Sequence, residues 1–267
     1  MQHGEWRDPG TMLTAVALLV ISAAAWISIV LPAVTSADPT SGMGMSEMDR
    51  MSSLAAAVNP AGAATFVAAW LVMMTAMMMP SAAPMVLLLR ALTTGSSVRK
   101  AAHTAMFISG YLLVWGAFGL LVYLAQQAAA LAAMSWPGAV EGWPFIVAAV
   151  VAGAGVYQLS PLKELCLRQC RSPLSFLMQG WRPGLSGVLR LGVRHGVYCL
   201  GCCWALMVVL VTAGAMGLAW VTLIALVVFA EKLLPRGRAS ARLAGLSLIA
   251  LAVTILLRPE IAARLPA

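Results

Sequence analysis

Charged side chains are scarce in this sequence: Asp, Glu, Lys and Arg make up 10% of its 267 residues, nine of them acidic, against 61% hydrophobic residues. So little polar surface excludes a water-soluble globule of this size and points to a bilayer. A phosphate-binding loop, a nucleophile elbow and a helical His-Glu-x-x-His zinc motif are all missing, and Gly184, Gly187 and Gly192 are spaced wrongly for a nucleotide fingerprint. Their absence speaks against ATP-driven transport by this chain alone and favours binding or transport over catalysis. There is no internal repeat to build on. The residues before the first apolar run, Glu5, Arg7 and Asp8, lack the basic start of a signal peptide, so the run from Met12 to Val34 is expected to be a retained helix. The net charge of +8 lies in short segments between apolar runs, as in cytoplasmic membrane loops, which argues against nucleic acid as a partner.

What the chain has in quantity is apolar length. Runs of roughly twenty apolar residues fall at about 12–34, 62–80, 104–125, 143–160, 196–214, 218–234 and 243–257. The second run can continue past Pro80 and Pro84 to Leu89, and Gly214-Ala215-Met216-Gly217 permits a tight reversal between the fifth and sixth. The expected fold is all-α: a polytopic transmembrane helical bundle of about seven spans in a bacterial inner membrane, forming a single membrane domain over 1–267. Basic residues concentrate at Arg90 to Lys100, Lys163 to Arg194 and Lys232 to Arg242, which predicts a cytoplasmic N-terminus and an outer C-terminus. Residues 35–60 then form a Met-rich outer loop, and 161–195 a basic cytoplasmic loop.

The second abundance is sulfur. Cys199, Cys202 and Cys203 hold three of the five cysteines in five positions, and about 100° per helical residue puts Cys199, Cys203 and Met207 on one stripe with Cys202 beside it. His195 lies one turn earlier on that face. In the second run Met73 and Met77 share one line, and Met74 and Met78 the next. Aligned thiols and thioethers on apolar helices suit a soft metal ion, and a bound cation would help a thiolate form there. Cysteines and methionines are also ordinary helix packers, and three cysteines beside a histidine weigh against that plainer explanation.

Cys166 and Cys170 stand one turn apart in the basic segment, where they could complete a four-thiolate zinc site with Cys199 and Cys202, relay a metal to them, or ride on a membrane-surface helix. Every cysteine and histidine falls at or near the predicted inner, reducing side, which disfavours structural disulfides. Glu231, an acid near the inner end of the sixth run, is a candidate ligand, proton carrier or ion-pair partner, or else an interfacial residue beside Lys232. In the outer loop Met43, Met45, Met48 and Met51 with Glu47 and Asp49 could collect Cu(I), or simply touch the membrane surface. Tyr111, Trp115, Trp136, Trp143 and Trp220 are expected to be anchors and packing.

Five motifs then recur in a known order: Trp70 to Ser81; Gly110-Tyr111 with Trp115; Tyr157 to Lys163 with Cys166, Cys170, Arg171 and Pro173; Cys199 to Trp204; and Glu231-Lys232. Together they resemble a bacterial integral membrane family of unknown function that is described only as predicted metal-binding. The resemblance spans about Trp70 to Lys232 and implies the same fold and a shared metal site. Where that family often has Met-Asn after the cysteine helix, this chain has Met216-Gly217.

The expectation is a buried thiolate and thioether site near the cytoplasmic face, with Cys199, Cys202 and Cys203 as primary ligands, Met73, Met74, Met77 and Met78 as the thioether face, and His195, Glu231, Cys166 and Cys170 as further candidates. Cu(I) is the favoured ion, with Zn(II) the alternative, and the task is copper binding or movement in homeostasis or cuproenzyme assembly. The lipid bilayer and a metallochaperone or membrane-complex partner are the expected companions. Two rival readings are a membrane thiol oxidoreductase using Cys199 and Cys202, and a structural subunit of a membrane complex.

Overall fold

Proline and glycine punctuate the helices. A computed structural model describes residues 9–35, 60–135, 139–212, 218–235 and 237–259, and everything below concerns these. They form nine helices and no strand: α1 (Pro9–Thr35), α2 (Pro60–Leu92), α3 (Ser97–Ser135), α4 (Ala139–Gln158), α5 (Pro161–Arg171), α6 (Pro173–Gly180), α7 (Leu185–Thr212), α8 (Leu218–Leu233) and α9 (Gly237–Leu257). Helices α1, α2, α5 and α6 begin on a proline, whose missing N–H is no loss in a first turn. Ser160 caps α5 by accepting from the Lys163 amide at 3.2 Å. Gly95 and Gly184, at φ of 109° and 86°, take the left-handed turns ahead of α3 and α7.

The second apolar run does pass Pro80 and Pro84, reaching Leu92 as one helix. A hydroxyl stands beside the first of them, Ser81 Oγ donating to the Met78 carbonyl at 2.8 Å, the kind of local polar support that lets apolar helices carry prolines. Five helices are long and apolar enough to cross a membrane: α1, α2, α3, α7 and α9. Helices α4 and α5 join at a 60° bend and make a sixth if counted as one broken span. The sequence reading of seven counts α8 as well, and its 16 residues are fewer than the roughly twenty a full crossing needs. Leucines and valines of α1, α3 and α9, among them Leu13, Leu19, Leu121 and Leu246, face outward. Water would penalise that surface, so it is compatible with a multi-pass membrane protein.

Helix α7 lies at the centre, against α3, α4, α5 and α8, while α2 packs between α1, α3 and α8. The α3–α7 contact is the most extensive among the described residues, and glycine makes it close. Gly192 and Gly196, one turn apart, rest on the Phe107 and Tyr111 backbone, and Gly110 rests on Leu189 and Val193. This is small-residue packing, the usual way for apolar helices to approach where the hydrophobic effect gives no help. The same helix starts at Leu185, eleven residues before the expected span, because the segment carrying Arg190 and Arg194 continues in helical register rather than forming a loop. The cysteines thus sit mid-helix.

Candidate metal centre

The α7 stripe turns inward. Cys199, Cys202 and Cys203 are each 1% exposed, and the Sγ atoms of Cys202 and Cys203 both lie 3.0 Å from the Cys199 carbonyl, one turn back. Met73, Met74, Met77 and Met78 of α2 pack in the same buried cluster as these thiols and Met207. Met79 and Met85 instead join a neighbouring cluster with Leu89 and Phe107. Helical periodicity turns Met79 about 100° from Met78, whereas Met85 lies on the Met78 face two turns further along the helix.

Helix α5 brings the other two cysteines to the cluster. Cys166 and Cys170 are partly buried against it, and all five cysteines are free thiols. Gly201 leaves room for Cys166, since a Cβ there would come 2.7 Å from the Cys166 sulfur. Tyr157 donates to the Gly201 carbonyl and stacks edge-on with Trp204, ring centroids 5.0 Å apart, which ties α4 to the cysteine turn. Tyr157→Phe keeps the ring contact and is expected to lower stability by about 1 kcal/mol, the net worth of one hydrogen bond. Thermal unfolding in detergent checks this, and an unchanged midpoint would mean the hydroxyl contributes nothing.

Lys232 is the feature that sequence reading missed. Its ammonium, on the last turn of α8, donates to Cys199 Sγ at 3.0 Å and Ser81 Oγ at 3.3 Å and contacts Met78 Sδ at 3.7 Å. The Tyr111 hydroxyl lies 3.1 Å from the same Cys199 sulfur. A lysine next to an acid at a helix end reads as an interfacial pair, and only its position on the α8 face turned to α2 and α7 could have signalled otherwise. Both residues are buried within the protein: Glu231 is 1% and Lys232 7% exposed.

Nor do the two neighbours pair with each other. Glu231 Oε2 takes Lys163 Nζ at 2.7 Å, and its Oε1 accepts from Gln158 Nε2 at 3.0 Å. Gln158 in turn accepts from Lys163. Arg171 donates to the Glu231 carbonyl at 2.7 Å and to that of Pro235 at 3.2 Å, satisfying carbonyls at the end of α8. So Lys163 and Arg171 fasten α5 to α8. His195 packs against the rings of Phe107, Tyr111 and Phe176, with centroids 5.7, 5.7 and 5.5 Å away. Its Nδ1 has no hydrogen-bond partner among the described residues. The Met-rich segment 43–51, His3, Trp136 and the Met216-Gly217 turn lie outside the described residues.

Among the described residues no three Cys, His, Asp or Glu side chains converge as an ion's ligands would. The donor set nevertheless suits a soft ion. Thiols beside thioethers, with the carboxylate turned away to Lys163, are soft ligands that suit Cu(I) far better than a hard cation. Zn(II) also takes four thiolates, but that convergence of cysteines is not present among the described residues, and the histidine on α7 is enclosed by aromatic rings.

A family model described as PpoB2, copper chaperone, matches residues 67–255, which takes in α3 to α8 entirely and most of α2 and α9. No curated protein and no solved structure matches the chain.

Proposed function

The chain belongs to the PpoB2 copper chaperone family, and from that premise we propose that it binds Cu(I) within the membrane, at the sulfur cluster between α2, α5, α7 and α8, and passes it on. The observation that carries the proposal is the burial of three cysteines and five methionines from two helices in one cluster, with two more cysteines at its edge. Cys199, Cys202 and Cys203 are the primary ligands in this reading, and Met77 and Met78, with Met73 and Met74, the thioether face. Cys166 and Cys170 act as a relay on the cytoplasmic side. Glu231 and His195 hold the surroundings in place and are not ligands, since Glu231 is committed to Lys163 and Gln158 and the His195 ring to its aromatic neighbours. The proposed setting is a bacterial inner membrane, with the N-terminus inside and the Met-rich loop outside, where thioethers could collect copper for an apoprotein partner.

Elemental analysis of protein purified without added metal, and again after anaerobic Cu(I) loading, tests the proposal against a Cys199→Ser/Cys202→Ser/Cys203→Ser variant. Copper should fall to background in the variant while the protein remains folded. Equal copper in the two proteins would remove the cluster from consideration.

A further inference from the structure

The ammonium of Lys232 stands where an ion shared by α2 and α7 would stand, and we propose that it is a tethered placeholder cation: it fills the empty site, must withdraw for Cu(I) to enter, and selects a monovalent cargo. The inference rests on the copper reading above and adds what occupies the site between loads.

The geometry is that of a complementary cation site. A lysine ammonium has three N–H donors and no acceptor, and the three neighbours of Nζ come from two helices: Cys199 Sγ at 3.0 Å from α7, and Ser81 Oγ at 3.3 Å and Met78 Sδ at 3.7 Å from α2. Two of these neighbours are sulfurs. A zinc–thiolate bond is about 2.3 Å long, shorter than either contact, so an ion drawing Cys199 and Met78 onto itself competes with the ammonium for the same two sulfurs. The two cations also exclude each other by charge. Among the described residues no carboxylate forms an ion pair with Lys232, because its neighbour Glu231 is held by Lys163 and Gln158. Cys199, with the Tyr111 hydroxyl at 3.1 Å, is thus the centre on which the ammonium rests.

Two consequences follow from electrostatics. Exchanging an ammonium for Cu(I) leaves the buried charge unchanged, one positive charge entering as one leaves, when the thiols hold the same number of protons before and after, and no electron moves. A divalent ion entering the same way adds an uncompensated charge to a buried site, which is strongly unfavourable. The lysine therefore discriminates by charge where sulfur discriminates by softness. The exchange also runs backwards. The flexible four-carbon stem lets the ammonium withdraw and return, so a partner that draws on the copper is assisted by a cation ready to take its place, which suits delivery better than storage.

The test measures Cu(I) affinity anaerobically by competition with a chromophoric chelator, for wild type, Lys232→Gln and Lys232→Arg, with Zn(II) uptake alongside. Lys232→Gln should bind Cu(I) at least about tenfold tighter and accept Zn(II) that wild type rejects, whereas the permanent, larger cation of Lys232→Arg should weaken binding. A second measurement needs no variant. Reductive methylation of intact wild-type protein, read by mass spectrometry, should label Lys232 more after saturation with Ag(I), with Lys163 as the buried reference. Should Lys232→Gln fail to fold, the labelling decides alone. Affinities within about threefold of each other, or weaker binding by Lys232→Gln, overturn the placeholder role; so does labelling that Ag(I) leaves unchanged. In those cases the copper reading stands if binding still depends on the three cysteines. Failure of both wild type and Lys232→Gln to bind Cu(I) overturns both.

Discussion

Glu231→Ala is expected to destabilise the protein by about 3–5 kcal/mol, because it leaves the Lys163 ammonium buried without its counter-ion. Both partners are 1% exposed and 2.7 Å apart, so neither solvent nor salt screens them. Gln158 bridges them, donating to Glu231 and accepting from Lys163, and the three residues come from α4, α5 and α8. Loss of one member therefore loosens three helices together. The paired replacement Lys163→Met/Glu231→Leu removes both charges and should recover most of the loss, since a buried pair is worth little over apolar packing of similar volume. Thermal unfolding in detergent of the two singles and the double measures this as a coupling energy. A Glu231→Ala protein within about 1 kcal/mol of wild type would give the pair the weight of an exposed one and show that water reaches it. Copper binding supplies a second reading. If Glu231 acts through helix placement, affinity should drop in the single variant and return in the double; if it is itself a ligand, it should stay low in both.

Gly192→Leu should be nearly as damaging, costing about 3 kcal/mol or more by overpacking. The obstacle is backbone: a Cβ at Gly192 runs into the Phe107 carbonyl of α3, which cannot rotate away as a side chain would. Even Gly192→Ala should destabilise, against the ordinary preference for alanine in helices. Gly153 provides the control, since a Cβ there meets nothing within 4 Å. Gly153→Ala should stabilise by about 0.5–1 kcal/mol, the usual gain in a helix interior. Opposite signs for the two alanine variants in one unfolding assay would establish that contact geometry, and not helix propensity, governs the α3–α7 seam. Equal effects would show that the seam yields at little cost. Because α3 also carries Tyr111 to Cys199, separating the two helices should weaken copper binding too.

Much of the architecture was legible beforehand because it depends on local chemistry. Runs such as 62–80 and 104–125 are helical by composition, whereas the eleven residues that α7 adds before 196 were expected in a loop. The sulfur stripes of α2 and α7 needed only the helical period. The pairing of charges was not legible. Glu231 and Lys232 are adjacent in sequence and point to different partners, one to Lys163, 68 positions back, the other to Cys199, 33 positions back. Tyr111 reads as an anchor until α7 places Cys199 against its hydroxyl, a contact across 88 residues.

By itself, then, the chain determined most of its helices, their long apolar stretches, and the faces on which sulfur lies, since each follows from residues within a turn or two of one another. Only the tertiary structure decided that the faces of α2, α5 and α7 meet, and that a lysine from α8 closes the space among them. Those outcomes depend on how nearly two backbones can approach and on where a buried charge finds its partner, quantities that belong to pairs of distant residues and to no segment alone.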